Sequence, residues 1–418
     1  MKIKISKEFP YQFLFALCII IPYINIYEIT FFIWLTTVVI TIKKTYSKTF
    51  FNYTFPFFVI IFIAFIAGVF KGYKVFLMIR DFTYLVKPIL GMMVGYQLCR
   101  STNINPIKTI INTGLLIALV HLSIIFYSVS IHHVTQIHDL RYYGGYFSDY
   151  EVYALIFLIF HEKFQFQISK KKFYTIAILL GLSVFLYFSR TNYIQFGILY
   201  LGLKGFYKIN RKTITILGSI LLISAISYTF IYNMNLKRNG RGLESLLYKI
   251  KNAPIEPFKT RVDKNDWQDF NDNYRSYENI ITVKQVSREG ILAILFGKGM
   301  GATVDIGRRI LTNDGTYIRQ APILHNAYFT VFLKSGIVGV FFCFYSIYFL
   351  FKHKKTENKL IKSIDEILIA TGVFLVLANW VLLGLYLKLD NKAIVIGLLL
   401  AFRELLNNNN SIQLQKND

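Results

Sequence analysis

The sequence predicts an all-α, polytopic integral membrane bundle of about twelve transmembrane helices, interrupted by one large, partly helical extracytoplasmic loop. Three observations carry this. Of 418 residues, 54% are hydrophobic and only 17% are charged, against about 25% charged in a soluble globular chain. The apolar residues form continuous runs, such as 57–70, 115–129 and 214–226. Only helices and closed barrels satisfy their backbone in a bilayer, and continuous runs select helices. Finally, the net charge of +24 is gathered in short lysine clusters between the runs, as the positive-inside rule requires. The charge therefore reports membrane orientation, and no nucleic-acid partner is needed to explain it.

Taken in order, the expected spans are 10–26 and 28–42, a tight hairpin, then 53–70, 76–98, 107–130 and 149–162. They continue with 173–189, 192–207 and 213–233, and close with 326–351, 364–387 and 393–406. The first segment runs directly into the second without a small-residue exit site, so a cleavable signal is not expected. An inside N-terminus places Lys43, Lys44 and Lys48, Lys163 and Lys170–Lys172 in cytoplasmic loops. It does the same for Lys204, Lys208, Arg211 and Lys212, and for Lys352, Lys354 and Lys355. The short outer loops hold only Lys71, Lys74, Arg141, Arg190, Lys388 and Lys392. Both termini are thus expected in the cytoplasm. Cys18, Cys99 and Cys343 fall in or beside apolar runs and read as packing residues, not a disulfide framework.

The chain divides into an N-terminal bundle (1–233), a large outer loop (234–325), C-terminal membrane helices (326–406) and a cytoplasmic tail (407–418). The loop carries fifteen Lys/Arg against ten Asp/Glu. A connection this long, without the composition of a linker, is usually functional. Apolar residues at helical spacing predict a helix over 274–286. Phe296-Gly297-Lys298-Gly299-Met300-Gly301 is glycine-rich but lacks phosphate-loop spacing, and reads as a tight turn or helix break outside the membrane.

The sharpest local pattern is His325-Asn326, nine residues, then Gly336-Ile337-Val338-Gly339. A histidine where the loop re-enters the membrane can act as a base near neutral pH. The alternative is an interfacial histidine followed by an ordinary small-residue seam, in which the glycines let the next helix pack on a neighbour. Arg190, after Ser189, sits in an outer turn against the charge bias; it is either a snorkelling arginine or a bidentate ligand for phosphate oxygens. Arg275, Arg288, Arg308, Arg309 and Arg319 in the loop could join Arg190 in a cationic site for a pyrophosphate, although a solvated surface charge is the favoured reading of any single one. Arg80, Asp81, Lys87 and Lys334 lie within spans. Snorkelling accounts for the first two, and structural pairing is the favoured reading for both lysines, with a kinked, cavity-facing helix at Lys87-Pro88 the alternative. His132, His133 and His138 are loosely spaced for a metal but lack a framing cysteine or carboxylate.

Together these elements resemble the bacterial O-antigen polymerase and O-antigen ligase family of membrane glycosyltransferases. His325-Asn326 with Gly336 and Gly339 matches the element that closes that family's periplasmic loop. Ser189-Arg190 matches its Ser-Arg turn, and Arg275 upstream of Gly297 and Gly299 matches its loop arginine. Arg141-Tyr-Tyr-Gly144-Gly-Tyr-Phe147 looks like its Arg-x-x-Gly-x-Phe, although Ser148-Asp149-Tyr150 replaces the usual continuation. The resemblance covers about residues 140–350. It implies an inner-membrane enzyme acting on the periplasmic face in lipopolysaccharide and surface-polysaccharide biosynthesis. The donor it implies is an undecaprenyl-pyrophosphate-linked oligosaccharide. Arg190 and Arg275 would bind the pyrophosphate and His325 would position or deprotonate the acceptor hydroxyl. Asn326, Arg141, Arg288 and Arg319 would contact substrate, with no cofactor and no metal. Membrane lipids and a chain-length regulator are the further partners expected. An Ile/Phe/Tyr/Lys-rich composition favours polymerase. A ligase acting on lipid A core, and a flippase or transporter of lipid-linked oligosaccharide, are the alternatives.

Overall fold

The computed structural model describes residues 8–415 apart from 102–104, 135, 146–148, 208–210, 239, 241–242, 312–316 and 353–355. The side chains of 138, 212, 213, 217, 220, 245, 246, 257 and 409–415 are likewise outside the description. Lys208, Lys212, Lys354, Lys355, the His138 side chain and the Phe147-Ser148 end of the Arg141 motif therefore lie outside the described residues.

The fold is 75% helical and 3% strand. The first nine helices after residue 8 are α1 (Phe9–Ile20), α2 (Tyr27–Ile40), α3 (Lys48–Phe70), α4 (Val75–Ser101), α5 (Pro106–His132), α6 (Ile137–Gly144), α7 (Tyr150–Ile159), α8 (Lys170–Leu186) and α9 (Arg190–Leu203). Next come α10 (Arg211–Asn233), α11 (Leu243–Asn252), α12 (Trp267–Asp272), α13 (Tyr274–Arg288) and α14 (Ile291–Phe296). An antiparallel hairpin, β1 (Val304–Leu311) and β2 (Tyr317–Ala321), leads into α15 (Ala327–Phe351), α16 (Lys359–Val381) and α17 (Lys392–Gln415). Every expected apolar segment is occupied by a helix. Among the described residues, α3, α5, α10 and α15 are long and apolar enough to cross a membrane, whereas α1, α2 and α7 are apolar but shorter.

Local chemistry sets several boundaries. Ser47 caps α3 by accepting from the Phe50 amide (2.9 Å), and Asn105 caps α5 ahead of Pro106 by accepting from Lys108 (3.0 Å). Such caps satisfy amides that the helix itself leaves without acceptors. In the bundle, α4 and α17 approach so closely that a methyl group on Gly95 would lie 1.9 Å from the Ile394 carbonyl oxygen. Small residues permit this spacing, which in lipid replaces hydrophobic burial as the source of cohesion. Cys18, Cys99 and Cys343 are free and buried in the bundle.

The loop has a core of its own. Phe270, Tyr277, Val286, Ala302 and Ile306 pack together and continue onto Leu333 of α15. The expected helix over 274–286 is α13, while the hairpin was not anticipated. The glycine-rich segment is not a surface turn. It wedges between the ends of α3, α4 and α15: Lys298 and Gly299 amides donate to the Leu333 and Lys334 carbonyls, and the Met300 amide donates to Ala64. These α15 carbonyls are available because the span breaks at Gly336, which has φ +66°. A side chain at Gly336 would collide with the Leu295 carbonyl, 2.3 Å away. Gly336 therefore admits the loop, while the atoms nearest a side chain at Gly339 belong to its own helix.

The intramembrane charges also differ from expectation in detail. Asp81 does not snorkel. It is 1% exposed, and so is Lys334, with which it forms a salt bridge. Asp81 also accepts from the Gly301 amide (2.7 Å) and from Arg80 (3.0 Å), while Lys334 reaches the Ala302 carbonyl. Lys87 is buried and donates to the main-chain carbonyls of Leu387 and Asp390. Lys392, expected in an outer loop, is buried between Asp149 and Asp390. Removing one partner of a buried pair leaves an uncompensated charge. Asp81→Ala should therefore cost about 3–5 kcal/mol, read as a lower melting temperature of the solubilised protein. Adding Lys334→Met should recover part of that loss.

Candidate functional site

His325 is held at the junction of loop and span. It precedes Asn326, whose side chain caps α15 by accepting from the Phe329 amide at 3.2 Å. Its imidazole Nδ1 lies 2.9 Å from Oε2 of Glu278, and the same oxygen accepts the His325 backbone amide at 3.0 Å. A carboxylate accepts and does not donate, so Nδ1 carries the proton and Nε2 is the free basic nitrogen. The contrast in exposure is functional in form: the histidine side chain is 55% exposed and the Glu278 side chain 2%. A buried acid thus orients an accessible base, the relation seen wherever a histidine is tuned by a partner on its other nitrogen. Tyr274 meets the imidazole edge-on, ring centres 5.5 Å apart. Burial, with the Glu278 carboxylate beside it, pushes the Tyr274 hydroxyl above its ordinary pKa, so it stays neutral.

Glu278 and Arg275 are three residues apart on α13 and so share a face, with β-carbons about 5–6 Å apart. Arg275 pairs with Glu256 at 3.4 Å. Arg190, the first residue of α9, donates from Nη1 to the Lys249 carbonyl of α11 at 2.7 Å. Desolvation dominates the electrostatics at Arg190; Glu256 favours its charge, while Arg275 and Arg141 oppose it. Lys249 is pulled below its ordinary pKa by burial, then by Arg141, Arg190 and Arg238, with Asp272 acting the other way. Arg190 thus feels both Arg141 and Arg275, and Lys249 feels Arg141, Arg190 and Arg238; of these, Arg275 stands one helical turn from Glu278 on α13.

The remaining sequence candidates fall elsewhere. Arg288 is exposed at the opposite end of α13, thirteen residues or about 20 Å from Arg275 at 1.5 Å per residue. Arg319 lies on β2 and is paired with Asp305 at 2.9 Å, and Asp305 in turn is bound to Gln285 near that same far end. Asn326 is buried as a helix cap and presents no surface to a ligand. Among the described residues, no three His, Cys, Asp or Glu side chains are arranged to hold a metal. His132 instead stacks on Tyr143. The residue that sequence reasoning missed is Glu278. Its signal was an acid three positions after Arg275 in a segment already expected to be helical.

No protein-family model matches the chain, and no curated protein matches it. The chemistry must be read from the site itself. Clustered, half-buried cations with one matching carboxylate form a ready receptor for an anion with several oxygens. Inorganic pyrophosphate should therefore raise the melting temperature of the solubilised protein, by about 2.7 kcal/mol of stabilisation at a hundredfold excess over Kd. Arg190→Ala and Arg275→Ala should each remove most of that shift, and high salt should shrink it. An unresponsive wild-type protein would refute the anion site.

Proposed function

We propose that this chain is a membrane glycosyltransferase of the O-antigen polymerase type. In this reading it lengthens a lipid-linked surface polysaccharide on the periplasmic face of the inner membrane. The observation that carries the reading is the shared neighbourhood of Arg190, Arg275 and Arg141 with an oriented, accessible His325. Neither half alone would suggest glycosyl transfer. A cationic cluster by itself binds anions; a lone histidine by itself is an interfacial residue.

The chemistry follows from the two halves. The donor is a glycan joined through its anomeric carbon to undecaprenyl pyrophosphate. An acceptor hydroxyl on a second lipid-linked unit attacks that carbon, its proton passes to Nε2 of His325, and the carbon–oxygen bond to pyrophosphate breaks. The electron pair leaves with the lipid pyrophosphate, whose growing negative charge the arginines stabilise. Preorganised charge of this kind is usually the largest catalytic contribution. Glu278 stabilises the imidazolium that forms and keeps the basic nitrogen facing the acceptor. Arg288, Arg319 and Asn326 take no part.

The same reading sets both termini in the cytoplasm, twelve spans and residues 234–325 outside, supported by the lysine distribution and by a helix in every expected segment. Since the native cysteines are buried, a single exposed one reports sidedness. Asp263→Cys should react with a membrane-impermeant maleimide in intact spheroplasts, and Glu357→Cys only after lysis. The reverse pattern would exclude a periplasmic site.

For the reaction, His325→Ala should lower polymer formation by roughly 10²–10⁴-fold, the usual contribution of a general base. Arg190→Ala should abolish long-chain polysaccharide, with both proteins still present in the membrane. A lipopolysaccharide gel from a deletion strain separates the alternatives. A single repeat unit on core indicates a lost polymerase, and free lipid-linked polymer with bare core a lost ligase. Transport of lipid-linked units into vesicles without chain growth would instead mark a flippase.

A further inference from the structure

An open cavity of about 290 Å³ lies in the loop where α11 meets α12, near the lower end of small-ligand pockets, roughly 300 Å³. Tyr248 and Asn252 of α11 face Asp266, Gln268, Asp272 and Asn273 across it. It is not a bare acidic cluster. Lys259 neutralises Asp269, and Arg238 neutralises Asp272 at 3.0 Å. Asp266 uses Oδ1 to cap α12, accepting from Gln268 and Asp269 amides at 2.8 and 3.1 Å. What faces an occupant is mostly a set of matched donors and acceptors: three side-chain amides, a phenol that donates to Asp272 at 2.7 Å, the Lys259–Asp269 pair, and Asp266, beside which the described residues place no cationic side chain, with Ile255 as the apolar member. Such a lining suits an uncharged polyhydroxylated ligand, and Asp266 disfavours an anionic one.

Position adds the second argument. Tyr248 and Asn252 flank Lys249, whose carbonyl holds Arg190, and Asn273 immediately precedes Tyr274 and Arg275. The cavity thus opens within about a helical turn of the cationic cluster while carrying the opposite electrostatic character. We infer that it is a glycan subsite for neutral or N-acetylamino sugars of the substrate, one that rejects uronates. This rests on the glycosyltransferase reading above, in which a sugar chain extends away from the pyrophosphate.

Saturation-transfer NMR on the full chain tests it, in nanodiscs because sugar-headed detergents would compete. The ligands are cellobiose, N,N′-diacetylchitobiose and digalacturonate at millimolar concentration. At least one of the first two should receive saturation and digalacturonate should not. Asn252→Trp, which fills the cavity, should abolish transfer, and Gln268→Ala should weaken it several-fold. Asp266→Asn keeps the helix cap and should admit digalacturonate. No transfer to either uncharged disaccharide, or transfer unchanged in Asn252→Trp, overturns the subsite. Arg190→Ala should lose the pyrophosphate response yet keep disaccharide binding. If the wild-type protein binds sugar but not pyrophosphate, the anion reading fails alone; the converse sinks only the subsite.

Discussion

The geometry of the loop region of this protein depends on how one glycine-rich segment is fastened into the bundle. Gly297 to Gly301 enters a gap between three helices, and the buried Asp81–Lys334 pair holds it there. Asp81 belongs to α4 and Lys334 to α15, so a single ion pair ties two helices and a loop backbone at once. Buried ion pairs are poor sources of net stability, because desolvating both charges offsets most of their attraction. What this one supplies is register. If the loop slipped by one residue, Asp81 would lose the Gly301 amide, and a side chain would face a backbone that tolerates only glycine.

That fastening reaches the candidate site through two short paths. The loop segment follows α14, which follows α13, the helix that carries Arg275 and Glu278. It also grips α15 eight to nine residues after His325. Helix α13 and the start of α15 are therefore set against each other by the same set of contacts, and the Glu278–His325 hydrogen bond forms between elements that are already fixed. Arg190 and Arg141 arrive separately, on α9 and α6, and meet Arg275 through α11 and Glu256. The site is assembled from four places in the chain; Arg190 is anchored on the Lys249 carbonyl and His325 on buried Glu278.

Much of this was legible in the sequence, for reasons that differ by residue. Helix positions follow from continuous apolar runs, a strong signal in lipid, where only helices and closed barrels span. Arg190 stood out against the charge bias of the outer turns, His325 by its spacing to two glycines, and Arg275 only through the family resemblance. Glu278 did not, since one acid in a loop of mixed charge has nothing to distinguish it until its helix is placed against His325. Arg288 and Arg319 illustrate the opposite error: composition counts arginines but does not measure the length of a helix, and α13 carries Arg288 away. The burial of Asp81 and Lys392 was hidden because Lys334 and Asp149, which meet them in the interior, are distant in sequence. The role of Gly336 was misassigned because a small residue in a span usually admits another helix, and here it admits an incoming loop.

The break at Gly336 has a mechanical side. An unbroken helix resists bending because each turn is bonded to the next, whereas here two rungs of that ladder are handed to Lys298 and Gly299. The upper part of α15 is thereby bonded to the glycine-rich segment that follows α14. A broken helix left to itself would bend there; here the gap is filled by a backbone that is also bonded to α3 and α4, so the weak point is braced from the side.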